Sequence, residues 1–247
     1  MTTANSPDPT IQILRPIPTG QLKLLVFDLD GTLADTTQDL ASSVNAMLSH
    51  FRLQTLPIET IAGFVGNGTP MLIRRSLAAI LGKTVEEIDE PFLAPYHAFF
   101  LEYYLQHDLD FTQLYPGAQE SLEVLYRLAQ ADRWSMAVLT NKPERPSREI
   151  LAGLGVASYF THIFGGDSFP AKKPDPTGIF QLMIETKVMP EQTVMIGDSR
   201  VDMQTARNAG VWSLGCAFGF GPQNLMTVPP DVRVTSAAAW ATVLLPE

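Results

Sequence analysis

The chain has 247 residues, of which 45% are hydrophobic, and its formal net charge is -9 at pH 7. This length allows one large domain, or a core domain that carries a smaller insertion. The acidic balance argues against nucleic acid and anionic membranes as partners, and the single cysteine, Cys216, excludes an intrachain disulfide and a cysteine-rich metal site.

The N-terminal segment, residues 1–20, is rich in Pro and Thr and lacks the apolar stretch of a secretory signal. We predict a flexible tail there, with a short extended piece at Ile11–Leu14. Nowhere does an apolar run approach the roughly 20 residues that a bilayer-spanning helix needs. We therefore expect a soluble, cytoplasmic protein.

From Leu22 onward, short apolar runs alternate with amphipathic helical stretches. The predicted strands are Leu22–Leu29, Met136–Thr140, His162–Gly165, Thr193–Gly197 and Val211–Gly215. The predicted helices are Gly117–Ala129, Arg145–Leu154, Pro176–Thr186 and Val201–Ala209. Such alternation predicts an α/β fold with a doubly wound, Rossmann-like parallel sheet and right-handed crossovers.

The interval from Asp35 to Tyr115 breaks this alternation, because it contains helical patterns and no convincing strand. The predicted helices there are Leu40–Phe51, Met71–Leu81 and Phe92–Gln106. About 80 residues are too many for an ordinary crossover. We therefore predict an α/β core domain formed by residues 21–35 and 116–247, with a helical cap domain inserted at residues 36–115.

Two carboxylates follow the first predicted strand, at Asp28 and Asp30, and Gly31 allows a tight turn directly after them. In an open α/β sheet the ligand site lies beyond the carboxyl ends of the strands. Two carboxylates so close together repel one another, and a hard divalent cation such as Mg²⁺ offsets that repulsion. The structural alternative is a simple acidic Asp-Gly turn after a strand.

A second acidic pair, Asp198 and Asp202, follows the apolar run at Thr193–Ile196. The four-residue spacing puts both carboxylates on one face of the helix that begins there. Either residue could serve only as a helix cap. However, the two acidic pairs come from strands that we expect to be neighbours, so together they predict an oxygen-lined Mg²⁺ site.

Two further residues suit a phosphoryl group. Thr140 ends an apolar strand, and its hydroxyl can donate to a phosphate oxygen. Lys173 lies in the loop before a predicted helix, where its ammonium can neutralise a carboxylate and a transferred group. Taken singly, such residues are more often found in turns and solvated loops. Their positions relative to the predicted strands favour a role in the site.

In this order, the four segments resemble the four motifs of haloacid dehalogenase-type phosphatases. The motifs are Asp-x-Asp-Gly-Thr from Asp28, Thr140, Lys173 in Lys-Pro-x-Pro, and Gly-Asp-Ser-x-x-Asp from Gly197. The resemblance extends from Leu22 to Val234 and implies a mechanism through an aspartyl phosphate. Haloacid dehalogenases lack the second aspartate of the first motif, so Asp30 favours phosphate-ester hydrolysis.

The resemblance implies a role for each matching residue. Asp28 would be the nucleophile, and Asp30 the general acid and then the base, with its backbone carbonyl on the metal. Thr140 and Lys173 would hold the phosphoryl group. Asp198 would bind Mg²⁺ directly, and Asp202 would act more often through a metal-bound water or the lysine.

The substrate is less clearly indicated. Gly66-Asn67-Gly68, with the arginines Arg74 and Arg75 on the next helix, resembles a cap loop of phosphoglycolate phosphatases, and Asn141 follows Thr140 as in that family. Such a loop offers backbone N–H groups to a small anion, and Arg74 could add a bidentate clamp. From spacing alone, a turn followed by a solvated helix face is the more common structure.

The predicted partner is thus a small phosphorylated metabolite, 2-phosphoglycolate first of all, bound by a monomer or homodimer. Three alternatives remain open. The chain could be a capped phosphatase for a sugar phosphate or pyrophosphate, an isomerase resembling β-phosphoglucomutase, or a non-catalytic protein of the same fold. The third is disfavoured because all four acidic motif residues are present.

Overall fold

The computed structural model describes residues 10–132 and 134–246, and every structural statement below concerns those residues. Residues 1–9 of the predicted N-terminal tail, which was to comprise residues 1–20, therefore lie outside the described part of the chain. Its last residues are ordered, because Ile11–Ile13 pairs antiparallel with Val232–Val234. The flexible tail predicted for residues 1–20 does not extend over this strand.

Nine strands occur in the described residues. They are β1 Ile11–Ile13, β2 Leu24–Phe27, β3 Ala34–Asp35, β4 Gln113–Leu114, β5 Ser135–Leu139, β6 His162–Phe164, β7 Thr193–Gly197, β8 Trp212–Cys216 and β9 Val232–Val234. Seven of them form one sheet in the order β1-β9-β8-β7-β2-β5-β6, parallel throughout except for the β1–β9 pair. The predicted α/β fold is confirmed.

The helices of the described residues alternate with these strands outside one interval. They are α1 Thr37–His50, α2 Ile58–Ala62, α3 Thr69–Leu81, α4 Glu90–His107, α5 Ala118–Asp132, α6 Glu144–Gly153, α7 Thr177–Thr186, α8 Arg200–Ala209, α9 Pro222–Leu225 and α10 Ala239–Leu244. None of them combines the length and the apolar character needed to cross a membrane.

Strand β2 is the centre of the sheet, lying between β5 and β7. All four of its side chains are completely buried, which is why its sequence is continuously apolar rather than alternating. On one face Phe27 packs edge-to-face on Trp240 of α10, with ring centroids 5.4 Å apart. This central position carries the residues that follow β2 to the middle of the sheet edge.

The helical insertion comprises α1–α4 and is bounded by β3 and β4, which pair with each other antiparallel through Ala34 and Leu114. This small ribbon corrects the prediction that the interval holds no strand, since two-residue strands are too short to show a periodicity. Helix α2 was also not predicted. The exact cap bounds, 36–115, stay a prediction.

Asp39, in the first turn of α1, fixes the chain where it returns from the insertion. Its buried carboxylate accepts hydrogen bonds from the backbone N–H groups of Phe111 and Thr112, at 3.1 and 2.8 Å, and from the Thr112 hydroxyl at 2.7 Å. A buried carboxylate is tolerated here because several donors compensate its lost hydration. Both ends of the insertion are thereby joined.

We expect Asp39→Ala to lower the free energy of unfolding by about 2–4 kcal/mol, because two buried N–H groups lose their acceptor. Urea unfolding followed by circular dichroism measures this change. Asp110→Ala is the matched control: Asp110 lies on the same linker but is half exposed, so its loss should cost less than about 0.5 kcal/mol. Equal effects of the two substitutions would refute an anchoring role for Asp39.

Candidate active site

The two acidic pairs converge because their strands are adjacent. Strands β2 and β7 are parallel, with Phe27 opposite Ile196, so both chains leave the sheet at the same edge. The backbone N–H of Asp28 still donates to the Ile196 carbonyl, at 2.9 Å. Carboxylate oxygens of Asp28, Asp198 and Asp202 consequently lie within 4.8 Å of one another.

Glycines allow this crowding around Asp198. Gly31 has a φ of 82°, a conformation that strains any other residue, and a Cβ atom there would collide with the Asp198 carboxylate. The same carboxylate fits against Gly219, where a side chain would also collide with it. Backbone N–H groups of Phe220 and Gly221 donate to its Oδ2 atom, at 2.7 and 3.3 Å.

Lys173 supplies positive charge to the centre of this cluster. Its Nζ atom is 2.9 Å from Asp28 Oδ1 and 2.6 Å from Asp202 Oδ1. Burial works against the ammonium form, but the two carboxylates outweigh it and raise the pKa of Lys173. The other oxygen of Asp202 accepts hydrogen bonds from the Ser199 backbone N–H and hydroxyl. Asp202 therefore positions Lys173 and the start of α8.

The negative charges of Asp28 and Asp198 are only partly compensated by nearby positive groups. Burial raises the pKa of Asp28 to about 7, against the opposing effect of Lys173, and Asp202 raises it further. Burial, with Asp202 and Asp28 as neighbouring charges, also raises the pKa of Asp198 well above its usual range. Groups whose ionised forms are disfavoured in this way suit a bound cation, which would stabilise them.

Asp30 has a separate buried cation, Lys142, which the sequence analysis did not single out. The Lys142 Nζ atom is 3.1 and 3.2 Å from the two carboxylate oxygens of Asp30. It also lies 4.5 Å from the ring centre of Tyr104, a residue of cap helix α4. Burial opposes its charge, but Asp30 raises the pKa of Lys142 overall. In the sequence, only its position in the segment Thr140-Asn141-Lys142-Pro143 could have pointed to it.

The charges of the centre do not balance without a further ion. In the part of the chain that the structure describes, the four carboxylates of Asp28, Asp30, Asp198 and Asp202 form ion pairs only with the ammonium groups of Lys142 and Lys173. With all six groups ionised, an excess of two negative charges remains, which a divalent cation would neutralise. Oxygen donors in this number fit Mg²⁺. Asp28, Asp198 and Asp202, whose carboxylate oxygens lie within 4.8 Å of one another, could hold it.

Thr140 and Asn141 lie beside this centre, at the end of β5. Both are buried, and both line the same cleft as Asp28. The Asn141 side-chain N–H₂ group donates to the Lys173 carbonyl, at 3.0 Å, and approaches the Gly66 carbonyl, at 3.4 Å. The structure thus brings Thr140, Asn141 and Lys173 together as predicted, and it places the cap loop above them.

The cleft between insertion and core has a volume of about 1180 Å³. Gly66, Asn67 and Gly68 line it from the insertion side, opposite Asp28 and Thr140. The Gly66 carbonyl accepts the Asn141 side-chain N–H, and a Cβ atom added to Gly68 would come into van der Waals contact with the Asn141 carbonyl. The cap loop Gly66–Gly68 therefore contacts the chain that follows β5.

The two arginines that follow this loop occupy different places. Arg74 forms an ion pair with Glu90 at the start of α4 and is not part of the cleft wall. Arg75 lines the cleft, and its guanidinium donates to the Phe64 carbonyl and to Asn67 Oδ1, each at 2.8 Å. The structure thus brings Arg75, rather than the predicted Arg74, to the site. Spacing alone cannot distinguish adjacent residues of one helix whose orientation is unknown.

Comparisons with known proteins agree with this geometry. Residues 25–216 match the model of the family described as haloacid dehalogenase-like hydrolase. A phosphoglycolate phosphatase from Pseudomonas syringae pv. tomato is 38% identical over 198 residues, which cover 80% of this chain and 70% of that protein. A phosphoglycolate phosphatase from Vibrio vulnificus is 34% identical over 226 residues, covering 91% and 97%.

Among solved structures, a predicted phosphoglycolate phosphatase from Haemophilus somnus 129PT superposes with a TM-score of 0.83 at 29% identity. That alignment covers 91% of this chain and 99% of the other. The matched family segment includes Asp28, Thr140, Lys173 and Asp198, the residues that the structure gathers at one edge of the sheet. The chain belongs to the haloacid dehalogenase-like hydrolase family.

Proposed function

We propose that the protein is a Mg²⁺-dependent phosphatase that hydrolyses a small phosphomonoester through an aspartyl phosphate on Asp28. The observation that carries this proposal is the position of Lys173 Nζ between Asp28 and Asp202, with Asp198 completing an acidic group within 4.8 Å. Such a cluster combines a nucleophile, a cation beside it and oxygen ligands for a metal. These are the parts that phosphoryl transfer requires.

In the first step, an Asp28 carboxylate oxygen forms a bond to phosphorus while the ester P–O bond breaks. Asp30, protonated at this stage, gives its proton to the departing oxygen as general acid. Thr140 and Lys173 hold the phosphoryl oxygens through a hydroxyl and an ammonium. When bound, Mg²⁺ would add positive charge against the phosphoryl oxygens and the nucleophile.

In the second step, Asp30 is ionised and takes a proton from water, and the resulting hydroxide oxygen attacks phosphorus. The Asp28–phosphorus bond breaks, which releases phosphate and restores the Asp28 carboxylate. Lys142 compensates the charge of Asp30 throughout the interval between the two steps, because its ammonium contacts both oxygens. One carboxyl group thereby serves as acid and then as base.

We propose 2-phosphoglycolate as the substrate. Support comes from the names of the relatives and from the cap loop Gly66–Gly68 on the cleft wall. The cleft volume, about 1180 Å³, favours a second candidate, a sugar phosphate, since it exceeds what a molecule as small as phosphoglycolate fills. The oligomeric state, monomer or homodimer, stays a prediction, and so does the cytoplasmic location.

The roles of Asp28 and Asp30 can be separated with isosteric amides and p-nitrophenyl phosphate. We expect Asp28→Asn to lower kcat by at least about 10³-fold, with no burst, because no phosphoryl acceptor remains. Asp30→Asn should release about one equivalent of p-nitrophenol quickly and then turn over slowly, because this leaving group needs little protonation whereas dephosphorylation needs the base. Stopped-flow absorbance measures both phases.

Thermal unfolding of each variant serves as the folding control. Asp28→Asn should unfold at or above the temperature of the unsubstituted protein, since it removes an excess negative charge while Lys173 keeps Asp202 as its partner. Asp30→Asn should unfold at a lower temperature but remain folded at about 25 °C, since it leaves the buried Lys142 ammonium without its carboxylate. A steady rate near normal for Asp28→Asn would remove Asp28 as nucleophile. Equal, burst-free losses for both variants would remove the separate acid–base role of Asp30.

We expect Mg²⁺ to raise the Tm, and to raise it more at about pH 8 than at about pH 5.5. Asp28 has a raised pKa of about 7, so the metal-free protein loses stability as the pH rises through that value, and at lower pH a proton competes with the metal. Mg²⁺ at about 100 times its dissociation constant adds about 2.7 kcal/mol. EDTA should reverse the rise and abolish phosphatase activity.

Differential scanning fluorimetry with NaCl at equal ionic strength controls for screening. Asp198→Asn, which removes a proposed ligand, should shrink the Mg²⁺-dependent rise at both pH values. A rise that is independent of pH and survives this substitution would place the ion elsewhere.

A panel of phosphate esters tests the proposed substrate. We expect kcat/KM for 2-phosphoglycolate to exceed that for hexose phosphates and pyrophosphate by at least about tenfold, since a site built for a small anion leaves larger neutral heads unpaired. Release of inorganic phosphate provides the measurement. A hexose phosphate as the best substrate would replace phosphoglycolate by the second candidate and leave the catalytic centre as proposed.

A further inference from the structure

Helix α3 carries two adjacent arginines, Arg74 and Arg75, of which one pairs with a carboxylate and the other does not. The Arg74 guanidinium is neutralised by the Glu90 carboxylate. The Arg75 guanidinium instead donates to two neutral acceptors, the Phe64 carbonyl and Asn67 Oδ1. Within the described part of the chain, no carboxylate lies within the 4.0 Å of an ion pair with Arg75. Its positive charge is therefore uncompensated.

Burial makes this lack of a counter-charge significant. Arg75 is partly buried, and burial lowers its pKa, yet a guanidinium remains charged in a protein. Its two hydrogen bonds to Phe64 and Asn67 fix the orientation of the planar group and leave further N–H donors for a ligand. A partly desolvated cation held in a fixed orientation is well suited to bind an anion.

The position of Arg75 decides which anion it would meet. It lies on the wall of the cleft that also contains Asp28 and Thr140. The two lysines of the centre already have carboxylate partners, because Lys142 pairs with Asp30 and Lys173 pairs with Asp28. Arg75 thus offers the cleft a second positive site, on the cap side, apart from the groups that hold the phosphoryl group.

We propose that Arg75 binds a carboxylate of the substrate and so selects phosphomonoesters that carry a second anionic group close to the phosphate. Asn67 acts as a positioning residue that holds the guanidinium towards the cleft. This inference rests on the proposed phosphatase function and adds the chemical class of the substrate head. It assigns the selection to Arg75 and not to its neighbour Arg74.

Two matched substrate pairs test the proposal. The first pair is 2-phosphoglycolate and 2-hydroxyethyl phosphate, and the second is 3-phosphoglycerate and glycerol 3-phosphate. Within each pair, a carboxylate is replaced by a neutral CH₂OH group of similar size. Steady-state kcat/KM is measured for the unsubstituted protein and for the variants Arg75→Gln, Arg75→Lys and Arg74→Gln.

We expect Arg75→Gln to lower kcat/KM for the carboxylate member of the preferred pair by about 10–100-fold, the usual value of a charge-assisted hydrogen bond. The neutral member should change by less than about twofold, since it makes no such contact. Most of the loss should fall on KM, because the carboxylate is bound equally before and during the reaction. Arg75→Lys should recover part of the loss, and Arg74→Gln should keep the full preference.

Each other outcome overturns the proposal in a recognisable way. Equal losses on charged and neutral members would mean that Arg75 only supports the cap. Arg200→Gln is measured alongside, since Arg200 also lines the cleft, from the core side. A selective loss in Arg200→Gln alone would transfer the role to Arg200. If Arg75→Gln still prefers the carboxylate member of a pair to the neutral member, the inference about Arg75 is refuted. The proposed phosphatase function is not affected by that result.

The proposal of 2-phosphoglycolate as substrate can be refuted independently of the role proposed for Arg75. If the unsubstituted protein prefers 3-phosphoglycerate, and Arg75→Gln removes that preference, phosphoglycolate is wrong and the role of Arg75 is supported. If the unsubstituted protein shows no preference for the carboxylate member in either pair, the inference about Arg75 falls. Absence of phosphatase activity towards all four esters would contradict the proposed function itself.

Discussion

The crowding of four carboxyl groups around two buried lysines is the constraint on which the rest of this structure depends. The adjacent parallel strands β2 and β7 end at the same edge of the sheet, and the acidic residues that follow them therefore lie close together. Lys173, which contacts Asp28 and Asp202 together, offsets only part of the repulsion. Burial and the neighbouring carboxylates together raise the pKa of Asp28 and of Asp198. The fold itself thus maintains an excess of negative charge in a cluster that could hold a metal ion.

The insertion is joined to this centre through the consecutive residues Thr140, Asn141 and Lys142. Thr140 lies on the cleft wall, Asn141 reaches the cap loop at Gly66, and Lys142 lies between Asp30 and the ring of Tyr104 in α4. A displacement of the cap therefore acts on the surroundings of Asp30 through Tyr104 and Lys142. This arrangement gives a physical route by which cap closure can be coupled to the proton transfer that we propose for Asp30.

Much of the core was predictable from the sequence, because buried parallel strands are continuously apolar and are followed by their functional residues. Asp28 and Asp198 could be identified for that reason, Lys173 could be identified from its motif in the loop before a helix, and the structure brings the three together. Other features had no sequence signal. The ribbon of β3 and β4 is too short to show alternation, and the choice between Arg74 and Arg75 depends on how α3 is rotated against its neighbours. Nothing in the sequence distinguishes Lys142 from a lysine of a solvated loop, because its contact with Asp30 joins residues 112 positions apart.

The pairing of Ala34 with Leu114 has an evolutionary consequence. The insertion leaves and re-enters the core at hydrogen-bonded neighbours, a gap that a tight two-residue turn can close. The core can therefore gain, lose or exchange the intervening helices without any change in strand order or in the placement of the acidic cluster. Residues that line the cleft from the insertion can thus vary while the acidic cluster of the core keeps its place.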